Sequence, residues 1–194
     1  MKLQETDRIP FPFLGDQPRL ESGQGAGVDL RLAWNPKGIG LELTVTGRKL
    51  PVLSQVDYPT RADSLQIWID TRNTQNVHRA TRFCHSFCLL PRGGGDKGEM
   101  AMAVQVPVSR AQSDAPMVDE DPILIQSTVD AKGYRLEAWI PKESLHGFDP
   151  VQQPLLGFFC CLNDAELGRI PLAHGAEFPF ESDPTLWESI ELKG

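Results

Sequence analysis

No apolar run in this 194-residue chain is long enough to cross a bilayer. The longest lies near Leu155 to Leu162, well short of the roughly 20 residues that a membrane helix requires. Residues Met1 to Pro12 lack the basic-then-apolar order of a secretory leader, so the expected location is cytoplasmic, or extracellular if a leader has been removed. Cysteine is scarce. Cys84, Cys88, Cys160 and Cys161 are the only four in the chain, too few for a disulfide framework, and they read as small buried hydrophobes. Lys and Arg never form a run, and 26 acidic against 19 basic residues leave a net charge of −7. A phosphate backbone is repelled on average by such a chain, so neither nucleic acid nor membrane is an expected partner. Repeats of fixed period and βαβ crossovers are missing too. The triple glycine within Arg92–Asp96 has no Ser, Thr or Lys and no helix behind it, which excludes a phosphate loop and leaves a flexible link.

What is there is a series of short alternating segments. Hydrophobic residues make up 40% and charged residues 23% of the chain, enough for a sizeable core and against disorder. Leu65, Ile67 and Ile69 alternate with Gln66, Trp68 and Asp70, the period-2 mark of a strand with one face in a core and Trp68 and Asp70 on the other. After a polar loop, Phe83 to Leu90 is apolar on both faces, as an interior strand is. Val28 to Trp34 and Ile39 to Val45 flank the turn Asn35–Gly38, and Ile123 to Val129 and Tyr134 to Ile140 flank Asp130–Gly133. Both pairs read as hairpins. Met100 to Val108, Leu155 to Leu162 and Trp187 to Leu192 supply further strands. Pro141–Leu145 suits one helical turn, with Pro at a first helical position and Gly147 as its stop. Residues 1–26 are spotted with Pro and Gly and read as an extended arm pinned by Phe11 and Phe13. The predicted fold is all-β: one antiparallel sandwich or jelly-roll domain over residues 1–194, with about eight to ten strands and one short helical turn.

Chemistry-bearing residues gather in the stretch from Trp68 to His85. Arg72, His78, Arg79, Arg82 and His85 put at least three fixed positive charges at one strand end of an acidic chain. Two compensations suggest themselves: internal carboxylates at Asp63, Asp70, Glu137 or the acidic loop at Asp119–Asp121, or an anionic ligand such as a uronic acid bound beside Trp68. His78, Cys84, His85 and Cys88 have the types that zinc prefers, but on a strand Cys84 and Cys88 face one way and His85 the other. Catalytic pairings fail for similar reasons. Ser86 and His85 are strand neighbours facing opposite ways, no GxSxG elbow is present, and nothing converges on Asp70 and Glu137, so no enzyme activity is expected.

Three segments in order, DSLQIWID, GYRLEAWIP and LGFFCCLND, followed by a closing DPTLWESIEL, resemble the family 9 carbohydrate-binding modules, relatives of the DOMON-like β-sandwiches. The resemblance spans roughly Val28 to Leu192. It implies a non-catalytic domain of the kind appended to xylanases and other glycoside hydrolases, gripping sugar between aromatic rings, with structural calcium nearby. Trp68, Asp70, Arg72, His78, Arg82, His85 and Trp187 are the candidate ligand-binding residues on that view. A pyranose offers apolar faces to an indole and a hydroxyl rim to Asp, Arg or His. Asp63 and Asp164, at strand ends, are the candidate calcium ligands; no cofactor is otherwise implied, and calcium, a hard cation, needs six to eight oxygens. The HRATRFCH segment departs from that pattern. The alternative is an interaction sandwich that docks a protein partner, or its own copy as a homodimer, without binding sugar.

Overall fold

The computed structural model describes residues 27–118, 123–173, 175 and 177–192. The arm expected over 1–26, the acidic loop residues Asp119, Glu120 and Asp121, and His174 lie outside them. Ten strands occur among the described residues: β1 Gly27–Asn35, β2 Gly38–Thr46, β3 Ser64–Asp70, β4 Cys84–Gly94, β5 Met100–Gln105, β6 Leu124–Asp130, β7 Gly133–Pro141, β8 Leu155–Asp164, β9 Gly168–Pro171 and β10 Glu188–Glu191. They form two antiparallel sheets, one of four strands in the order β1-β2-β7-β6 and one of six in the order β10-β8-β3-β4-β5, with β9 also paired to β8. The all-β sandwich expected from the sequence is the observed architecture.

Alternation sets the packing. In the small sheet Val45, Leu43, Leu41 and Ile39 lie opposite Tyr134, Leu136, Ala138 and Ile140, and all eight are buried against the large sheet. The reverse face is polar, with Arg135 bridging Glu42 and Glu137. From the large sheet Leu65, Ile67 and Ile69 enter the same core. β3 is buried at every position, however, because its other face is covered as well. Phe180, from the segment between β9 and β10, rests edge-on against Trp68 at 5.6 Å and stacks on Phe159 at 4.6 Å. Two-sided burial is why β4 and β8 read as continuous apolar runs.

Three 3-10 turns occur among the described residues, at Pro59–Arg61, Lys142–Ser144 and Pro184–Leu186. The second is the helical turn expected after Pro141. Of the stretch Arg92–Asp96, expected as a flexible link, the first three residues are strand: β4 runs through to Gly94, which pairs with Met100 beyond a register shift after Leu90. Pairing with β5 overrides the weak strand propensity of glycine there.

Candidate functional site

The outer face of the large sheet carries Gln66, Trp68 and Asp70 from β3, with Cys88, Ser86 and Cys84 opposite them on β4. On the other side stand Cys161, Phe159 and Gly157 of β8, and beyond these Arg169 of β9 opposite Asn163. Where the overlying segments do not close on this face, a cleft of about 280 Å³ remains, with Trp68 and Gln66 from the sheet and Thr60, Ser109, Arg169 and Glu181 among its other walls. A second hollow of about 320 Å³ shares Ser109, Arg169 and Glu181 with the first and is bounded by Phe178 and Phe180. Arg169 is held for this position: its Nε donates to Asn163 Oδ1 at 3.2 Å, its Nη2 pairs with Glu181, and its guanidinium lies over the Phe180 ring at 5.7 Å. Gln66 Nε2 donates to Ser86 Oγ at 3.4 Å. The cleft thus has an aromatic and apolar interior and a rim of donors and acceptors.

The residues singled out in the sequence are scattered by the fold. Trp68 faces away from the inter-sheet core as its parity requires, but it is 1% exposed and serves as floor. Trp187 is 2% exposed, and its indole N–H donates to Phe180 O at 2.8 Å, so it fastens the covering segment. Asp70 is buried and accepts from the backbone N–H of Arg72 at 2.9 Å and of Thr74 at 2.6 Å. It shapes the loop after β3. His85 points into the inter-sheet core, parallel to Phe87, with Nε2 3.4 Å from His146 O and Nδ1 without a partner among the described residues. Burial pushes its pKa down to about 4, so the ring is neutral.

Of the internal carboxylates expected to compensate the cationic cluster, Asp119–Asp121 lie outside the described residues, and Asp63, Asp70 and Glu137 are engaged elsewhere. Asp63 pairs with Arg48, Glu137 with Arg135, and Asp70 is taken up by backbone. Arg79 donates to the carbonyls of Arg110 and Ala111. Arg72 and Arg82 lie over the ring of Phe83, at 4.7 and 5.1 Å, and no carboxylate pairs with either among the described residues. Neither lines the Trp68 cleft, so the picture of a uronic acid held by these arginines under Trp68 does not match the geometry. Among the described residues only His78 of this cluster meets an acid, Asp183, at 3.0 Å. Against the upward push of burial, hydrogen bonds from Thr185 and His78 hold Asp183 below the usual carboxylate range.

The metal readings meet similar obstacles. Among the described residues no group of three or more His, Cys, Asp and Glu stands close enough to hold an ion. Burial pushes Cys84 and Cys88 up to about 12, which keeps both as thiols in the metal-free protein. Asp63 and Asp164 do come together at one end of the sandwich, but around the buried guanidinium of Arg48, at 2.7 and 2.8 Å. Their remaining lone pairs accept backbone N–H groups: Leu53 and Ala165 donate to Asp63, Glu166 and Leu167 to Asp164. With Arg48 in place these four oxygens do not fit a calcium ion, which requires oxygens at about 2.3–2.6 Å with no competing cation between them.

Gln66, Arg169, Glu181 and Arg48 were not among the candidate site residues read from the sequence. Only Gln66 carried a signal, since it shares the parity of Trp68. No protein-family model and no curated protein sequence matches the chain. Among solved structures it is similar to a family 9 carbohydrate-binding module from Caldicellulosiruptor kristjanssonii in complex with cellotriose, at 19% identity and a TM-score of 0.61, over 87% of this chain and 76% of that one. A second structure, of a family 9 module from the same organism in complex with glucose, gives 17% identity and the same TM-score over 87% and 78%. At such identities the likeness is one of fold, and the fold is the β-sandwich of the family 9 carbohydrate-binding modules.

Proposed function

We propose that this sandwich binds a saccharide, without cleaving it, in the cleft above Trp68. The observation that carries the reading is the lining of that cleft. Gln66, Thr60, Ser109, Arg169 and Glu181 surround an aromatic floor, which suits a ring with apolar C–H faces and a hydroxyl rim. The fold likeness to modules solved with glucose and cellotriose supports a neutral hexose or short β-glucan as the first ligand to test. Because Trp68 offers an edge of floor and little free surface, the polar rim supplies most of the contact. Arg169 and Glu181, both half-exposed and paired with each other, hold donor and acceptor functions ready for adjacent hydroxyls. In this role the domain delivers an associated glycoside hydrolase to its substrate and needs no reacting groups of its own.

Calorimetric titration with glucose and cellotriose tests the proposal. Gln66→Ala and Glu181→Gln should each weaken binding about tenfold, the equivalent of one good hydrogen bond to sugar, while the melting temperature stays near that of the parent. A folded protein that binds no neutral or acidic saccharide overturns the reading. Binding that both variants leave intact moves the site elsewhere.

A second reading has one observation in its favour. Leu50, Leu53, Val56 and Tyr58 are exposed along the connection between β2 and β3, and where exposed apolar side chains form a patch they mark association surfaces. Light scattering distinguishes the two: a concentration-dependent dimer abolished by Leu53→Asp supports self-association, and a monomer at all concentrations removes it.

A further inference from the structure

One end of the inter-sheet core is closed by a cation that belongs to the chain. Arg48 follows β2 of the small sheet, while Asp63 and Asp164 stand at the edges of β3 and β8 in the large one. The Arg48 side chain is 1% exposed and both carboxylates 0%. Its fork sends Nη2 to Asp63 Oδ2 at 2.7 Å and Nη1 to Asp164 Oδ2 at 2.8 Å, its backbone N–H donates to Lys132 O at 2.9 Å, and its guanidinium lies 5.7 Å from the centre of the Tyr134 ring. Two carboxylates brought this close in a dry site repel each other and demand a counter-charge. A planar guanidinium is suited to the place because its separate N–H groups reach two acceptors on different strands at once.

We propose that Arg48 is the resident cation of this end of the sandwich, replacing a structural divalent ion, and that Asp63 and Asp164 become a divalent-cation site only when Arg48 is taken away. The replacement ties the sheets together by ion pairs, with the cation attached covalently to the segment that leaves β2. Freed of the guanidinium, the site would offer Asp63 Oδ2, Asp164 Oδ2 and the Pro51 carbonyl, which now lies 3.4 Å from Nη2. These are hard oxygen donors, and water can complete the shell of a calcium ion.

Thermal melts of the full chain in calcium and in EDTA provide the test, with Arg48→Ala and Arg48→Lys beside the parent. The parent should melt at one temperature in both buffers. Arg48→Ala should melt roughly 10 °C lower in EDTA, the scale of an orphaned buried carboxylate pair in a chain of this size. It should recover part of that loss in calcium, and terbium should luminesce through Tyr134 in this variant alone. Arg48→Lys keeps the charge but loses the fork, so it should fall between parent and Arg48→Ala in EDTA and gain nothing from calcium. A parent whose melting temperature rises in calcium or falls in EDTA overturns the proposal. So does an Arg48→Ala variant that melts with the parent, or one that is destabilised yet indifferent to calcium. Should Arg48→Ala fold only with calcium present, the proposal is supported; should it fold in neither buffer, a parent-like melt of Arg48→Lys overturns it and an intermediate, calcium-indifferent melt supports it.

Discussion

Acid should loosen this protein through His85 before its carboxylates are reached. The ring is buried in the inter-sheet core opposite Ile69, with Nδ1 unpartnered among the described residues and only a long 3.4 Å contact from Nε2 to His146 O. Burial outweighs that contact, together with the charge of His146, and brings the pKa from 6.5 to about 4. The unfolded chain therefore binds the proton first. Between about pH 6.5 and pH 4 the unfolded state carries more protons than the folded one, so stability falls as the pH falls through that window and levels off below it. Two and a half units at about 1.4 kcal/mol each give a full loss on the order of 3 kcal/mol, most of it already spent by about pH 4.5. Urea melts of the parent and of His85→Leu at a series of pH values isolate the effect. At neutral pH the two should be close in stability, because the lost contact is poor and an unsatisfied buried nitrogen is removed with it. On acidification the parent should lose on the order of 2 kcal/mol more than the variant by about pH 4.5. Parallel curves for the two proteins would refute the reasoning.

Removing the Asp70 carboxylate by Asp70→Ala strands the N–H groups of Arg72 and Thr74, at a cost of roughly 2–3 kcal/mol in urea melts; a loss within error means that the loop is held by other contacts. Gly147 has φ of 82° and a Cβ there would stand 2.8 Å from the Phe83 ring, so Gly147→Ala should destabilise by roughly 1–3 kcal/mol. Burial keeps the thiols of Cys84 and Cys88 protonated, so the native protein should resist alkylation at neutral pH and label only on unfolding; rapid labelling in the absence of denaturant contradicts the burial.

Much of the architecture was legible because alternation reports burial directly. Leu65, Ile67 and Ile69 enter the core at the positions their period assigns, and the turns at Asn35–Gly38 and Asp130–Gly133 join the strands they were expected to join. Period says that a residue leaves one face, not what it meets on the other. Trp68 was correctly placed on the second face, yet Phe180, far along the chain, decides that this face is covered. The cationic stretch was only partly legible for a related reason. Charges near one another in sequence suggested one compensated site, whereas Asp63 pairs with Arg48 across the core, and Arg72 and Arg82 settle on an aromatic ring. A lone arginine in an irregular connection has no period or motif to announce it, so Arg48 could not be read until the strand ends were in place.

Covering one face of a sheet with an irregular segment also explains where the cleft lies. A strand laid on a sheet edge closes by hydrogen bonding, but a loop laid across a sheet face meets it only at its bulky side chains and leaves seams between them. Phe180 is the main such contact: its ring packs on Trp68 and Phe159, its carbonyl accepts the Trp187 indole, and Arg169 lies over it on the way to Glu181. Phe180 lines the second hollow and supports Trp68, the floor of the cleft, so fold and cleft both depend on it. Substituting Phe180 by Ala should lower stability and saccharide binding together, by roughly 3–5 kcal/mol in the first case. Changes at Gln66 and Glu181, which stand at the seam and bond to Ser86 and Arg169, should alter binding more than stability; if they prove as destabilising as the loss of Phe180, the cleft is part of the packing and not a place kept open for a ligand.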